Sequence, residues 1–183
     1  NENVSPASGI TWTFTGQTNA DGTPATTINM ANPGEPHNFV NQGCVTLPGG
    51  CGFTNFIVQS LGYPAPPAGT PWDFRYCMIL NSQGNTVSNC KFIVDAAGTG
   101  SSGVLFPPST STDPVASAVS NCTFVSTGSG GDFSQTAGAV FQDDGGSTVD
   151  SCTFTSLDGS IFIVGREGTA LSTCDDATSL PAQ

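Results

Sequence analysis

One nine-residue pattern recurs along the chain and narrows what it can fold into. Thr86-Val-Ser-Asn-Cys90-Lys-Phe-Ile-Val94 is echoed by Ala118-Val-Ser-Asn-Cys122-Thr-Phe-Val-Ser126 and again by Thr148-Val-Asp-Ser-Cys152-Thr-Phe-Thr-Ser156. A shortened copy, Ala170-Leu-Ser-Thr-Cys174, follows. Apolar clusters alternate with these blocks: Tyr76 to Leu80, Gly103 to Phe106, Gly138 to Phe141 and Ser160 to Val164. The Cys-to-Cys spacings are 32, 30 and 22 residues. Self-similarity at such a period marks an architecture in which each repeat is one unit stacked on the next.

Each period carries three strand-like pieces too short to form a stable hairpin alone. Stacked, every piece gains a parallel neighbour about 4.8 Å away and one buried face. Alternation selects that face. Cys122 and Phe124 point one way, Thr123 and Val125 the other, and Cys90/Phe92 and Cys152/Phe154 repeat the pattern. Repetition therefore predicts an inner column of Cys beside an inner column of Phe. The bend between the first two strands falls at Asn89, Asn121 and Ser151, and Asn tolerates the left-handed backbone that such a bend uses.

These repeats, with Asn121-Cys-Thr-Phe124 paired to Gly138-Ala-Val-Phe141, resemble the pectin-lyase-like right-handed parallel β-helix superfamily. The similarity is greatest to the short repeats of surface-adhesin and polymorphic outer-membrane-protein types. It covers roughly residues 51 to 174 by the extent of the repeats. It implies an all-β, right-handed parallel β-helix of three to four coils. Residues 1–50 fit the repeat poorly and are expected to form an N-terminal capping/strand segment, with Thr11 to Thr15 and Ala25 to Asn29 as its strands, because an open end exposes strand edges. Residues 51–174 would form the coils and residues 175–183 a polar tail, all within a single domain. The superfamily contains lyases, hydrolases, tailspikes, adhesins and plain scaffolds, so function does not follow from the fold.

Composition bounds the function further. Only 9% of residues are charged, against roughly 25% in ordinary soluble domains. The formal net charge is −11, with three Lys/Arg in all. Arg75, Lys91 and Arg166 cannot assemble a basic patch, which argues against nucleic acid as a partner. No run approaches the roughly 20 apolar residues of a membrane-spanning helix, so no direct membrane insertion is expected. Seven cysteines in so polar a chain point to an oxidising, extracellular or cell-surface setting. The start at Asn1 reads as a processed mature chain or an excised fragment.

Stacked loops could gather Asp113, Asp143, Asp144 and Glu167 along one edge, as acid and base for a polysaccharide hydrolase or as weak ligands for Ca²⁺. The family's hydrolases also need Gly-His-Gly and Arg-x-Lys, its lyases several basic residues, and the sequence has none of these sets. Asp143-Asp-Gly-Gly146 reads foremost as a tight turn. His37 reads as a loop histidine with no nucleophile motif beside it. The outward columns Lys91/Thr123/Thr153 and Ile93/Val125/Thr155 weigh against a regular ice-binding face, since Lys91 and Ile93 interrupt the Thr rows. Trp12, Tyr63 and Trp72 are candidates for stacking on sugars.

The sequence thus leads to the expectation of an extracellular structural or adhesive module, not an enzyme, with neither catalytic residue, resident metal nor cofactor. End-to-end self-association, as in a filament or surface appendage, is the expected partnership, with glycans as further partners. A carbohydrate-active or carbohydrate-binding β-helix is the alternative and an ice-binding protein a weaker one. Asn3, in Asn3-Val-Ser, is the candidate for a glycoprotein's glycan, while Asn121 of the second sequon reads as a structural rung of the bend. A Cys44–Cys51 disulfide is expected around the intervening turn. Cys90–Cys122 and Cys152–Cys174 pairs would need local twisting, because stacked residues stand about 4.8 Å apart.

Overall fold

A computed structural model of the chain describes residues 11–29, 42–59, 75–80, 84–94, 101–107, 115–127, 136–142, 146–155, 157, 159–164, 174–175 and 178–179. All regular structure among them is β-strand. The strands are β1 (Thr13–Thr15), β2 (Thr26–Asn29) and β3 (Gln42–Leu47), then β4 (Gly52–Thr54), β5 (Phe56–Gln59) and β6 (Arg75–Leu80). β7 (Thr86–Ser88), β8 (Lys91–Val94) and β9 (Ser101–Phe106) follow, then β10 (Ala118–Ser120), β11 (Thr123–Ser126) and β12 (Thr136–Gln142). The chain continues through β13 (Thr148–Asp150), β14 (Thr153–Thr155) and β15 (Gly159–Val164) to β16 (Cys174–Asp175) and β17 (Thr178–Ser179).

Strands three apart in sequence are neighbours in space. The first sheet runs β1-β4-β7-β10-β13-β16, the second β2-β5-β8-β11-β14-β17 and the third β3-β6-β9-β12-β15. Every ladder within these sheets is parallel. The chain visits the sheets in the same cyclic order each time, an arrangement compatible with a parallel β-helix. Parallel partners of two to seven residues are possible because each inner strand hydrogen-bonds to both neighbours while sharing one buried face.

The predicted inner columns are present. Phe124 pairs in register with Phe92 on one side and Phe154 on the other. All three rings are almost wholly buried and stack with centroids 4.9 Å apart, within the range aromatic pairs favour. Cys90, Cys122 and Cys152 are buried one position beyond the bend. In the turn before, Phe56 occupies the Cys position and Val58 the Phe position, as the pairing of Ile57 with Lys91 and of Val58 with Phe92 requires. The bend residues have positive φ, 66° at Asn55, 48° at Asn89, and 51° at both Asn121 and Ser151. Gly103 is required by a close approach: a Cβ there would lie 2.4 Å from the Phe124 ring and 2.6 Å from the Gly138 carbonyl oxygen.

Three expectations change. Residues 1–50, read as a cap, contribute β1, β2 and β3 to the three sheets, where each pairs in parallel with the following turn. No Asn-Cys-x-Phe block marks the repeat there, but Thr13-Phe-Thr15 has the same alternation as Gly52-Phe-Thr54 beside it. At the other end, Cys174 pairs in register with Val149, so it continues the Val column of the first sheet instead of the Cys column. Thr178 and Ser179 then take the places next to Thr153 and Phe154, within the segment read as a polar tail. Finally, Cys44, Cys51, Cys77, Cys90, Cys122 and Cys152 are free thiols in the structure, so the bridge expected at Cys44–Cys51 is not formed there, nor are the twisted pairs considered at Cys90–Cys122 and Cys152–Cys174.

Candidate functional site

The buried thiols have a different occupation, which begins with the bend. A left-handed residue rotates the peptide that follows it, so the N–H of the next residue leaves the regular sheet ladder and needs another acceptor. The N–H of Cys90 donates to Sγ of Cys122, and the N–H of Cys122 to Sγ of Cys152, both at 3.4 Å. Each thiol donates in turn to the carbonyl two residues earlier, Ser88, Ser120 and Asp150 respectively, at 3.2 Å. Cysteine suits the place because it is small and apolar enough for the core, yet both accepts and donates. Hydrogen bonding with Cys152 and Cys90, followed by burial, pushes the Cys122 thiol well above its ordinary range. Hydrogen bonding with Cys122 lowers Cys90 and Cys152 in turn, so the features of an inert structural thiol belong to Cys122.

A second ladder flanks the other side of the first sheet. Cys51 N–H donates to Oδ1 of Asn85 at 3.1 Å, Asn85 N–H to Oγ of Ser117 at 3.2 Å, and Ser117 N–H to Oγ of Ser147 at 3.0 Å. Asn85, Ser117 and Ser147 are almost completely buried. Sequence reading missed this ladder by starting the repeat one residue late. The signal was present, since each polar residue stands five positions before Cys90, Cys122 or Cys152. On the outer corner, Asn89 Nδ2 donates to Asn55 Oδ1 at 2.9 Å and to the Gly22 carbonyl at 3.0 Å, and Asn55 Nδ2 donates to the Gly16 carbonyl at 3.4 Å.

The outward face of the first sheet is lined by hydroxyls that the sequence reading did not single out. In-register pairing aligns Thr15, Thr54, Ser88 and Ser120 in one column, and Thr13, Gly52, Thr86, Ala118 and Thr148 in the other. Part of the first column is internally bonded: Ser88 Oγ donates to Thr54 Oγ1, which donates to Asn55 Oδ1, both at 3.2 Å. On the second sheet the columns Lys91/Thr123/Thr153 and Ile93/Val125/Thr155 align as expected.

Of the sugar-stacking candidates, Trp12 is 44% exposed and stacks on Phe14 with centroids 6.1 Å apart. Tyr63 and Trp72 lie outside the described residues, as do His37, Asn3, Asp113, Asp143, Asp144, Arg166 and Glu167. Among the described residues, no three His, Cys, Asp or Glu side chains converge in a way that could hold a metal ion. Cys44 is a partly buried thiol whose pKa is pushed up to about 11 by burial. No helix among the described residues is long and apolar enough to cross a membrane. No protein-family model, curated protein or solved structure matches the chain.

Proposed function

We propose that the chain is an extracellular structural or adhesive module. In this reading its architecture is a right-handed parallel β-helix associating end to end, with five full coils and part of a sixth in place of the three to four expected from the repeats. Right-handedness follows the strong preference of parallel crossovers. The observation that carries the association is the composition of the stack's N-terminal end. There β1, β2 and β3 are the outermost strands of all three sheets, and Phe14, Ile28, Cys44 and Val45 pack only partly against the core. Three aligned edges over half-covered apolar side chains are a template for further strands, and a head-to-tail contact that does not close extends into a filament. With Cys44, Cys51, Cys77, Cys90, Cys122 and Cys152 as free thiols, the extracellular placement rests on the charge-poor, Gly-, Ser- and Thr-rich composition. Light scattering and electron microscopy across a concentration series test the proposal. Growth of end-to-end oligomers is the expected result, and a strictly monomeric particle at high concentration would overturn it.

The exposed Trp12 ring favours carbohydrate binding as a second reading, since an exposed flat ring can stack on a sugar. Incubation with polygalacturonate and related acidic glycans separates the possibilities. New reducing ends or unsaturated products identify an enzyme. Retention without cleavage, abolished by Trp12→Ala, identifies a binding module.

A further inference from the structure

We infer that Asn121 is the chain's N-glycosylation site. Asn121-Cys-Thr123 is an acceptor sequon, with no Pro at its middle position. As sequence, Asn121 looks like one rung of a bonded amide column, which would leave no room for a sugar. The geometry separates it from that column. Asn55 and Asn89 both spend their amides on neighbours, and the acceptors Gly16 and Gly22 belong to the N-terminal segment that lies over them. Only Asn121 of these three is exposed, and its side-chain amide makes no hydrogen bond to a described residue. Among the described residues it is engaged through its backbone, the N–H donating to the Asp150 carbonyl at 3.1 Å.

The surroundings fit a large substituent. Asn121 sits at the apex of a left-handed bend between two sheets, so its side chain leaves from a convex corner. The next rung of that corner is Ser151, which is short and also exposed. A glycan here covers the outer corner while Cys122 remains in the core, so core packing and modification do not compete. The reaction is a glycosyl transfer from a polyprenyl-pyrophosphate-linked oligosaccharide. The Asn121 amide nitrogen forms a bond to the anomeric carbon, and the bond from that carbon to the pyrophosphate oxygen breaks. The amide proton passes to a base of the transferase, and no oxidant or reductant is involved. The inference rests on the extracellular reading only in requiring passage through a secretory lumen.

The test uses the full chain, translated with microsomes and also secreted from a eukaryotic host. N-glycosidase treatment in heavy-oxygen water converts a glycosylated Asn into labelled Asp, which peptide mapping locates. Label at Asn121 is expected in both preparations, lost in Thr123→Ala and retained in Thr123→Ser. These variants leave the bend residue untouched, and the microsomal arm requires no folding. An unmodified Asn121 peptide in either preparation, including one whose only glycan is on Asn3, overturns the inference. Oligomer formation is scored separately by light scattering. A glycosylated monomer would therefore sink the assembly proposal alone, and an unglycosylated filament the present one.

Discussion

Phe124 and Phe14 occupy inward positions on strands with the same alternation, yet they meet different fates. Phe124 has a Phe ring stacked on either side and is fully buried. Phe14 has Phe53 on one side, at 6.2 Å and tilted by 52°, and is only half-buried. The contrast holds across both turns. Val87, Val119 and Val149 are buried in the middle, whereas Ile28 is half-buried in the first turn. Inward direction alone therefore does not remove a side chain from water in a stack of short strands. A neighbour above and another below favours burial, the nearest-neighbour behaviour of repeat proteins, although Leu47 on the outermost strand β3 is buried as well.

The largest test of this contrast is a pair of truncations read by chemical denaturation. Phe124→Ala is expected to cost about 3–5 kcal/mol, from lost burial and the cavity left between two rings. Phe14→Ala is expected to cost about 1 kcal/mol, in keeping with partial burial. Equal losses would refute the idea that position in the stack sets the energy.

Next in size is the oxygen ladder. Ser117→Ala removes the acceptor for the Asn85 N–H in a fully buried place, and an orphaned buried donor costs about 1–3 kcal/mol. Ser117→Gly loses the same acceptor, whereas Ser117→Thr retains it and should recover part of the stability if the added methyl fits. Wild-type stability in Ser117→Ala would show that the N–H finds another partner.

A smaller difference separates two bend residues. Ala at a left-handed position is penalised by roughly 1–2 kcal/mol, which applies to Asn89→Ala and Asn121→Ala alike. Asn89→Ala also loses the bonds to Asn55 and Gly22 and should be lower by a further ~1 kcal/mol. Comparable midpoints for the two variants would dissolve the distinction between a bonded and a free corner amide, on which the glycan assignment depends.

The smallest effect is alkaline. Burial raises Cys44 from 9.0 to about 11 and Tyr76 from 10.0 to about 12. Between those values the unfolded chain releases a proton that the folded chain keeps, so stability falls as pH rises. The contribution is fully present below about pH 9 and lost by about pH 12. Denaturation midpoints should hold level to pH 9 and then decline, with a shallower decline from pH 9 to 11 in Cys44→Ala. A flat profile from pH 8 to 12 would show that both groups titrate as if exposed.

Much of the fold was legible because the period-2 alternation and the bend residues are local properties. Cys, Phe and Asn recurring at constant offsets specify what faces inward and where the chain turns. In the first turn, the strands at Thr11 to Thr15 and Ala25 to Asn29 were legible from their alternation, but their place in the stack was not, because they lack the Cys-Phe signature. Cys174 misled for the opposite reason. It has the right residue type, but the pairing of β13 with β16 places it beside Val149. As for candidate sites, the acidic loop residues fall outside the described residues, and of the aromatic candidates only Trp12 lies within them.

By itself the sequence determined the alternation, the bends and the columns of like residues, since these depend on a few neighbouring positions. Tertiary structure decided the roles of those residues. That Cys122 bonds as a thiol, that Ser117 completes a buried donor, and that the Asn89 amide is bonded while that of Asn121 has no partner among the described residues all depend on what lies one turn away. About thirty residues of chain separate such partners. Their meeting is settled by the register of the stacked strands, a one-residue slip of which would exchange inward for outward faces.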